Sequence, residues 1–69
     1  MSIGERITEL RKQQNLSQGQ LAEAMEVSRQ AVSKWENGTS DPSTSNLLAL
    51  AKLYGINAAD LLREVSESP

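Results

Sequence analysis

The sequence predicts an all-α domain built as a compact five-helix bundle. Apolar residues recur at helical spacing in five separate segments, and no segment alternates apolar and polar side chains as a half-buried strand would. A serine or asparagine of the kind that caps helix N-termini stands before every one of these segments. At 69 residues there is room for one small domain, since a chain of about 60 residues hides only about 60% of its surface on folding.

The first two helices are predicted at residues 3–14 and 18–25. Each begins with a capping box, in which a serine and a glutamate or glutamine three positions later satisfy each other's free backbone donors. The pairs are Ser2 with Glu5 and Ser17 with Gln20. The apolar stripes are Ile3, Ile7 and Leu10 in the first helix and Leu21, Ala22 and Met25 in the second.

The remaining three helices are predicted by the same signals. Their ranges and N-caps are residues 29–36 after Ser28, 44–54 after Ser43, and 58–65 after Asn57. Gly38 and Gly55 supply the left-handed residues that end the third and fourth helices. The polar stretch 38–46 is expected to be a loop. The domain is therefore expected to cover residues 1–65, with a flexible tail at 66–69.

Composition removes several classes of function. The chain has no cysteine and no histidine, which excludes disulfides, thiolate metal ligands and every Ser-His or Cys-His nucleophile pair. No catalytic residue, metal site or cofactor is predicted, and no small-molecule substrate is evident. The longest apolar run, residues 47–51, is far shorter than the roughly 20 residues that span a bilayer. No secretory signal is visible at the N-terminus, so a cytoplasmic location is the expectation.

The charge balance is mildly acidic, with a net charge of −2. Residues 1–38 carry five basic and five acidic side chains, whereas residues 39–69 carry two and four. A modest basic surface is therefore possible only in the N-terminal part. This argues against indiscriminate binding to polyanions, because domains that bind nucleic acids often have a pI above about 9.

The second and third predicted helices are separated by only three residues, 26–28. So short a connection forces a sharp crossing, which is the geometry of a helix-turn-helix spanning residues 18–36. With Val32 and Trp35 turned inward, the outward stripe of the third helix is polar: Arg29, Gln30, Ser33, Lys34 and Asn37. Arginine and glutamine suit the edges of bases. An ordinary solvated face is the alternative, but the absence of carboxylates from this stripe favours an anionic partner.

The segments SQGQLAEAMEVSRQAVSKWENG (17–38) and PSTSNLLALAKLYGINAADLL (42–62) resemble the λ-repressor/Cro-like helix-turn-helix family, also called the XRE family. The similarity extends from about residue 3 to residue 62. The motif is specific because Gln18, Leu21-Ala22, Val27-Ser28, Val32, Trp35 and Glu36-Asn37-Gly38 occur together at the spacing of the family. The resemblance implies a λ repressor-like domain that binds double-stranded operator DNA, usually as a homodimer.

The resemblance also assigns roles to individual positions. Residues expected to reach bases are Ser28, Arg29, Gln30, Ser33 and Lys34, and those expected to contact phosphates are Gln18 and Asn37. The hydroxyl and backbone N–H groups of Thr39, Ser40 and Ser43 are further candidates for phosphate contacts. The broad apolar face of the fifth helix suggests that Leu62 and Val65 contribute to a homodimer contact.

Two departures from the family pattern stand out. Glu26 occupies a turn position where the family commonly has a glycine with positive φ, and its carboxylate lies beside the expected DNA-facing surface. The loop after Gly38 reads Thr39-Ser40-Asp41, without the lysine or arginine often present there. Fewer cations release fewer counterions, so non-specific binding is expected to be weak.

These observations predict a sequence-specific transcriptional regulator, with a repressor as the first expectation. The third helix would enter the major groove, and the two copies in a dimer would lie about 34 Å apart. The alternative is a protein-interaction module, coactivator-like or antitoxin-like, which keeps the fold but binds DNA weakly or not at all. The acidic pI of about 4.9 favours the alternative.

Overall fold

A computed structural model describes residues 2–62 of the chain. It contains five helices, α1 (Ile3–Gln13), α2 (Gln18–Met25), α3 (Arg29–Asn37), α4 (Thr44–Tyr54) and α5 (Ala58–Leu62). The described residues contain no strand, so the all-α prediction is confirmed. The first four helices match their predicted ranges to within one residue, α1 ending one residue earlier and α3 one residue later. The predicted end of the fifth helix at residues 63–65 and the predicted tail at 66–69 lie outside the described residues.

The helices begin where the capping residues predict. Both capping boxes are formed, since each serine hydroxyl accepts the N–H of the third helical residue, whose side chain accepts the N–H of the serine. Three further side chains cap helices by accepting one backbone N–H each: Ser28 from Ala31, Ser43 from Asn46, and Asn57 from Asp60. A cap of this kind stabilises a helix by about 1 kcal/mol.

The first four helices end in a common motif. One residue adopts the left-handed conformation, and the next residue donates its N–H to the carbonyl five positions earlier, as in a Schellman turn. The left-handed residues are Asn15, Glu26, Gly38 and Gly55. The closing bonds run from Leu16 to Arg11, Val27 to Ala22, Thr39 to Lys34, and Ile56 to Ala51. The positive φ expected at Glu26 is confirmed at 59°, and Asn15 is a position that the sequence interpretation did not identify.

The core lies where α1–α5 face one another. Its members are buried apolar side chains from all five helices: Ile7, Leu10, Leu21, Ala22, Val32, Trp35, Leu50, Ala51 and Leu61. Trp35 is 4% exposed, which confirms it as a core residue. Ala22 on α2 is buried in this core, and the left-handed residue Glu26, followed by Val27 and Ser28, connects α2 to α3. The packing thereby turns the opposite side of α3 to solvent.

Two contacts fix α1 against the rest of the domain. Gly4 lies so close to the end of α3 that a Cβ atom there would come within 2.3 Å of the Trp35 carbonyl oxygen. Arg6 donates to the carbonyls of Asp60 and Leu61, each at 3.2 Å, and pairs with Glu9 at 2.8 Å. The helix carrying Leu61 is thus tied to α1 by charge-assisted bonds as well as by apolar packing.

Tyr54, the last residue of α4, is half-buried. Its hydroxyl, however, is buried and has no hydrogen-bond partner among the described residues. Burial raises the pKa of Tyr54 to about 12, with a contribution from the nearby negative charge of Glu36.

Of the helices in residues 2–62, none combines the length and the apolar character that crossing a lipid bilayer requires.

Candidate functional site

The outward side of α3 is a polar surface without carboxylates. We call it the α3 outer face and define it by Arg29, Gln30, Ser33, Lys34 and Asn37. Four of these side chains are exposed and Ser33 is half-buried. Val32 and Trp35, on the opposite side of the helix, are buried. The stripe expected from the helical spacing is therefore the stripe that the packing of α3 leaves open.

Ser28, which was expected to reach bases, stands immediately before this face. It is exposed, and its hydroxyl oxygen accepts the N–H of Ala31 at 3.1 Å as the N-cap of α3. The hydroxyl hydrogen is not used in that bond, since the oxygen acts as the acceptor. Ser28 thus caps the helix and still has a donor to offer.

Gln18, at the first position of α2, is bonded to a partly buried ion pair and is not free in solvent. Its Nε2 donates to Oε1 of Glu36 at 3.0 Å. Arg11 donates hydrogen bonds to both oxygens of the same carboxylate, from Nε to Oε2 at 2.7 Å and from Nη2 to Oε1 at 3.1 Å. Its remaining Nη1 donates to the carbonyl of Leu16 at 2.8 Å. We call Arg11, Glu36 and Gln18 the α1–α2–α3 polar cluster, because it joins these three helices.

The ionisation of the polar cluster is fixed by its pairing. The side chains of Arg11 and Glu36 are 13% and 8% exposed. Burial alone would raise the pKa of Glu36, but hydrogen bonds from Arg11 and Gln18 and the charge of Arg11 outweigh it, so that the pKa lies below its usual value of 4.5. The hydrogen bond from Glu36 correspondingly raises the pKa of Arg11. Both groups are charged at neutral pH.

The N-terminus of α2 offers backbone donors beside Gln18. The N–H groups of Ser17 and Gln20 are used in the capping box, and that of Leu21 bonds to the Ser17 carbonyl. Within the described residues, no bond engages the N–H groups of Gln18 and Gly19. Free N–H groups at the positive end of a helix favour an anion.

Asn37, at the other end of the α3 outer face, has its amide orientation fixed. Its Oδ1 accepts both the backbone N–H of Thr39 at 2.9 Å and the Thr39 hydroxyl. Because these are donors, the oxygen must face the loop and the NH₂ group is directed away from it. The amide therefore presents donors outward, which is the polarity that a phosphate requires.

The loop residues expected to meet phosphates are only partly available. The N–H groups of Thr39 and Ser40 both donate to the carbonyl of Lys34, at 2.9 and 3.3 Å, and the Thr39 hydroxyl donates to Asn37. Thr39 therefore acts by orienting Asn37, with no donor left for an anion in this conformation. The Ser43 hydroxyl oxygen is the N-cap of α4. Ser40 and Ser43 are exposed and keep a hydroxyl hydrogen to donate.

The expected dimer contact is described only in part. Leu62 is half-buried, and Val65 lies outside the described residues. Among the described residues, the exposed large apolar side chains are instead Leu48 and Leu53 on α4, at 56% and 42%. The sequence interpretation did not single out these two leucines.

Arg11 and Glu36 are site residues that the sequence interpretation missed. They are 25 positions apart, so no local pattern joins them. Glu36 was noted only as part of the motif ending the third helix. One signal was available: at 3.6 residues per turn, Glu36 lies on the flank between the buried side of α3 and its outer face. A carboxylate at such a flank needs a cation from a neighbouring helix.

Among residues 2–62, no group of three or more aspartate or glutamate side chains could hold a metal ion together. The chemistry that the site offers is hydrogen-bond donation and positive charge on a convex helical surface.

Comparison with known proteins supports this interpretation. The family model described as helix-turn-helix matches residues 7–61. The chain is 45% identical over 53 residues to the HTH-type transcriptional regulator DicA of Escherichia coli, covering 77% of this chain and 39% of that protein. It is 40% identical over 62 residues to the HTH-type transcriptional activator BcrR of Enterococcus faecalis, covering 90% and 30%. The match thus spans only 39% and 30% of the length of these two curated relatives.

A solved structure is similar over almost its full length. The P22 c2 repressor protein, crystallised in complex with a synthetic operator, is 36% identical to this chain, and the match covers 88% of this chain and 92% of that one with a TM-score of 0.80. The family match, the shared five-helix architecture and the exposed second helix of the motif agree. The chain belongs to the λ-repressor/Cro-like (XRE) helix-turn-helix family.

Proposed function

We propose that this domain binds double-stranded DNA in a sequence-specific manner and acts in transcriptional regulation, with α3 in the major groove. The observation that carries the proposal is the α3 outer face, an exposed stripe with two cations and no carboxylate in a chain of net charge −2. An ordinary solvated helix in an acidic protein has no reason to lack aspartate and glutamate on its most exposed side. A helix that approaches phosphates does have a reason to lack them, because phosphates are negatively charged.

The side chains divide into two groups by their chemistry. Arg29, Gln30, Ser33 and Lys34, with Ser28 before them, stand where a helix in the groove meets base edges, and arginine and glutamine can each make paired hydrogen bonds there. Gln18 and Asn37 flank this group and present amide donors, which suits the two phosphate backbones bordering a groove. Ser40 and Ser43 are secondary candidates for a backbone contact.

Occupation of a promoter by the domain would block transcription without any further contact, so we propose repression as its default effect. A relative that is an activator shows that members of the family also work in the opposite sense.

We propose that two copies bind together through the α5 end, at Leu62 and Val65, and present two α3 helices about 34 Å apart. One module buries only about 600–1,000 Å² on DNA, which favours a dimer. The proposal includes neither catalysis nor a cofactor, and we propose a cytoplasmic location because a transcriptional regulator must have access to DNA.

The test is selection of a randomised duplex library by the pure protein at about 50 mM salt, followed by sequencing. We expect an enriched palindrome whose half-sites lie about one helical turn apart. A single unpaired half-site would retain DNA recognition but contradict the dimer. No enrichment by protein shown to be folded would contradict the proposed function.

A matched pair of triple variants checks which surface is used. Changing Arg29, Gln30 and Lys34 to alanine should abolish enrichment. The control changes Lys12, Gln13 and Lys52 to alanine. It also removes two cations and one glutamine, but from exposed positions outside the α3 outer face. This variant should leave the selected sequence unchanged. An equal loss in both variants would mean that net charge, not the face of α3, drives binding.

The interaction-module alternative rests on the acidic pI of about 4.9 and on a loop, 39–43, that carries Asp41 and no cation. In that case the first triple variant would leave partner binding largely intact, and the duplex library would give no enrichment.

A further inference from the structure

The phosphate-facing glutamine is held in place before DNA arrives. A glutamine in the first turn of a helix ordinarily has a freely rotating side chain, and ordering that side chain on binding costs conformational entropy. Here Nε2 of Gln18 is already bonded to Oε1 of Glu36 at 3.0 Å. Glu36 is in turn fixed by two bonds from Arg11, and its side chain is only 8% exposed.

The carboxylate also determines which way the amide faces. An ionised glutamate only accepts hydrogen bonds, so it selects the NH₂ group of Gln18 and never the carbonyl. That nitrogen has a second N–H. The bond to Glu36 leaves this N–H unused, and Gln18 belongs to the first turn of α2, where no described residue engages the backbone N–H groups of Gln18 and Gly19. With the reverse orientation the amide oxygen would meet the phosphate and repel it.

Arg11 makes this arrangement compatible with an anion. A bare carboxylate next to a phosphate would raise its energy, but Arg11 neutralises Glu36 through a bidentate pair at 2.7 and 3.1 Å. The cluster then presents no net charge, and the phosphate meets amide donors.

We propose that Glu36 is a positioning residue for DNA binding: by holding the Gln18 amide, it directs the second N–H of that amide toward a backbone phosphate. The inference rests on the proposed function and extends it to a residue that itself touches no DNA. Its signature is coupling, since Glu36 should matter for DNA binding only while Gln18 is present.

The experiment is a double-mutant cycle on operator affinity, using the duplex selected by the wild-type domain. The variants are Glu36→Gln, Gln18→Ala and the two combined. We expect Gln18→Ala and Glu36→Gln each to weaken binding about three- to tenfold, the range for one hydrogen bond, and the double variant to lose no more than Gln18→Ala alone. A purely structural role of Glu36 would give the same fold-loss in both backgrounds, and that result would overturn the proposal.

Glu9→Gln is the matched control. It makes the same chemical change in the other ion pair of the described residues, Arg6 with Glu9, and alters net charge equally. Its affinity should equal or slightly exceed that of the wild type. An equal loss in Glu9→Gln and Glu36→Gln would overturn the proposal, because the effect would then not be specific to the carboxylate that holds Gln18.

A measurement on the wild-type domain keeps the inference falsifiable if Glu36→Gln does not fold. Nuclear relaxation of the side-chain amide nitrogens should show Gln18 ordered in the DNA-free protein and the exposed Gln13 mobile. Equal mobility of the two amides would overturn the proposal. Failure of the wild type to bind any duplex would refute the proposed function itself, whereas binding that Gln18→Ala does not weaken would refute only this inference.

Discussion

Gly4 lies at a contact between the backbones of two helices, and its importance is not visible in the sequence. An added Cβ would stand 2.3 Å from the Trp35 carbonyl oxygen and 2.9 Å from that of Glu36. Both are backbone atoms of α3 that cannot move aside independently. We expect Gly4→Ala to lower the free energy of unfolding by at least about 1–3 kcal/mol, the usual cost of overpacking, as measured by urea denaturation.

Gly19 provides the control for this prediction. It is also a glycine in the first turn of a helix, but its added Cβ would meet nothing nearer than 3.9 Å. Gly19→Ala should therefore be neutral or stabilise the domain by up to about 1 kcal/mol, because alanine is the better helix former. Equal stabilities of the two variants would show that α1 and α3 are not in close contact.

Glu26 holds a left-handed conformation that suits glycine better. Its φ is 59° and its ψ is 40°, a region that costs an L-residue about 1–2 kcal/mol. We expect Glu26→Gly to raise the free energy of unfolding by about 1 kcal/mol, which for a domain of this size raises Tm by about 4–8 °C. Glu26→Gln removes the charge and keeps the strain, so it should leave Tm nearly unchanged. A similar rise in both variants would assign the effect to charge instead.

At the scale of the helices, most of the architecture could be predicted because its determinants are local. Capping residues such as Ser17 and Asn57 act within three positions of themselves, and the left-handed glycines act within one turn. The turn at Asn15 was missed because asparagine occurs both inside and outside helices. The α1–α2–α3 polar cluster could not be predicted, because Arg11 and Glu36 meet only after three helices have packed.

That cluster gives the domain a predictable response to acid. The pKa of Glu36 lies below its ordinary 4.5 in the folded state, so the unfolded chain takes up a proton first as pH falls. The stability that Glu36 contributes is complete above about pH 4.5 and is lost as pH falls through its folded pKa, with a slope of at most about 1.4 kcal/mol per pH unit. Urea titrations between neutral pH and pH 3 should show a plateau followed by this fall.

Substitution identifies the group responsible. Glu36→Gln should be less stable at neutral pH and should lose less stability on acidification than the wild type. A smaller fall should persist in that variant, because hydrogen bonding to Ser2 also lowers the pKa of Glu5. Identical acid profiles in the two proteins would contradict the assignment to Glu36.

For the whole molecule, the distribution of charge sets how DNA binding depends on salt. Binding to duplex DNA releases counterions in proportion to the cations that meet phosphates, with a slope of about −0.9 per contact in a plot of log K against log salt. The α3 outer face carries two cations, Arg29 and Lys34, and the following loop 39–43 carries none. The amides of Gln18 and Asn37, which we propose as phosphate contacts, are neutral and would release no counterions through a charge of their own. The slope is therefore expected to be no steeper than about −2 for one domain and about −4 for a dimer, values that are reached only if both cations also neutralise phosphates.

Titration of the selected duplex at several salt concentrations measures this slope. Lys34→Gln should reduce the magnitude of the slope by about 1 per domain if that lysine contacts a phosphate rather than a base. Asp41→Lys restores a loop cation of the kind expected of the family and should steepen the slope by a similar amount. A wild-type slope near −8 would mean that cations beyond the α3 outer face reach the DNA, and recognition would then involve a larger surface than α3 and its two flanking amides. A shallow slope combined with high sequence selectivity would instead mean that an acidic domain gains its specificity from hydrogen bonds to bases and amide contacts to phosphates, with little help from long-range attraction.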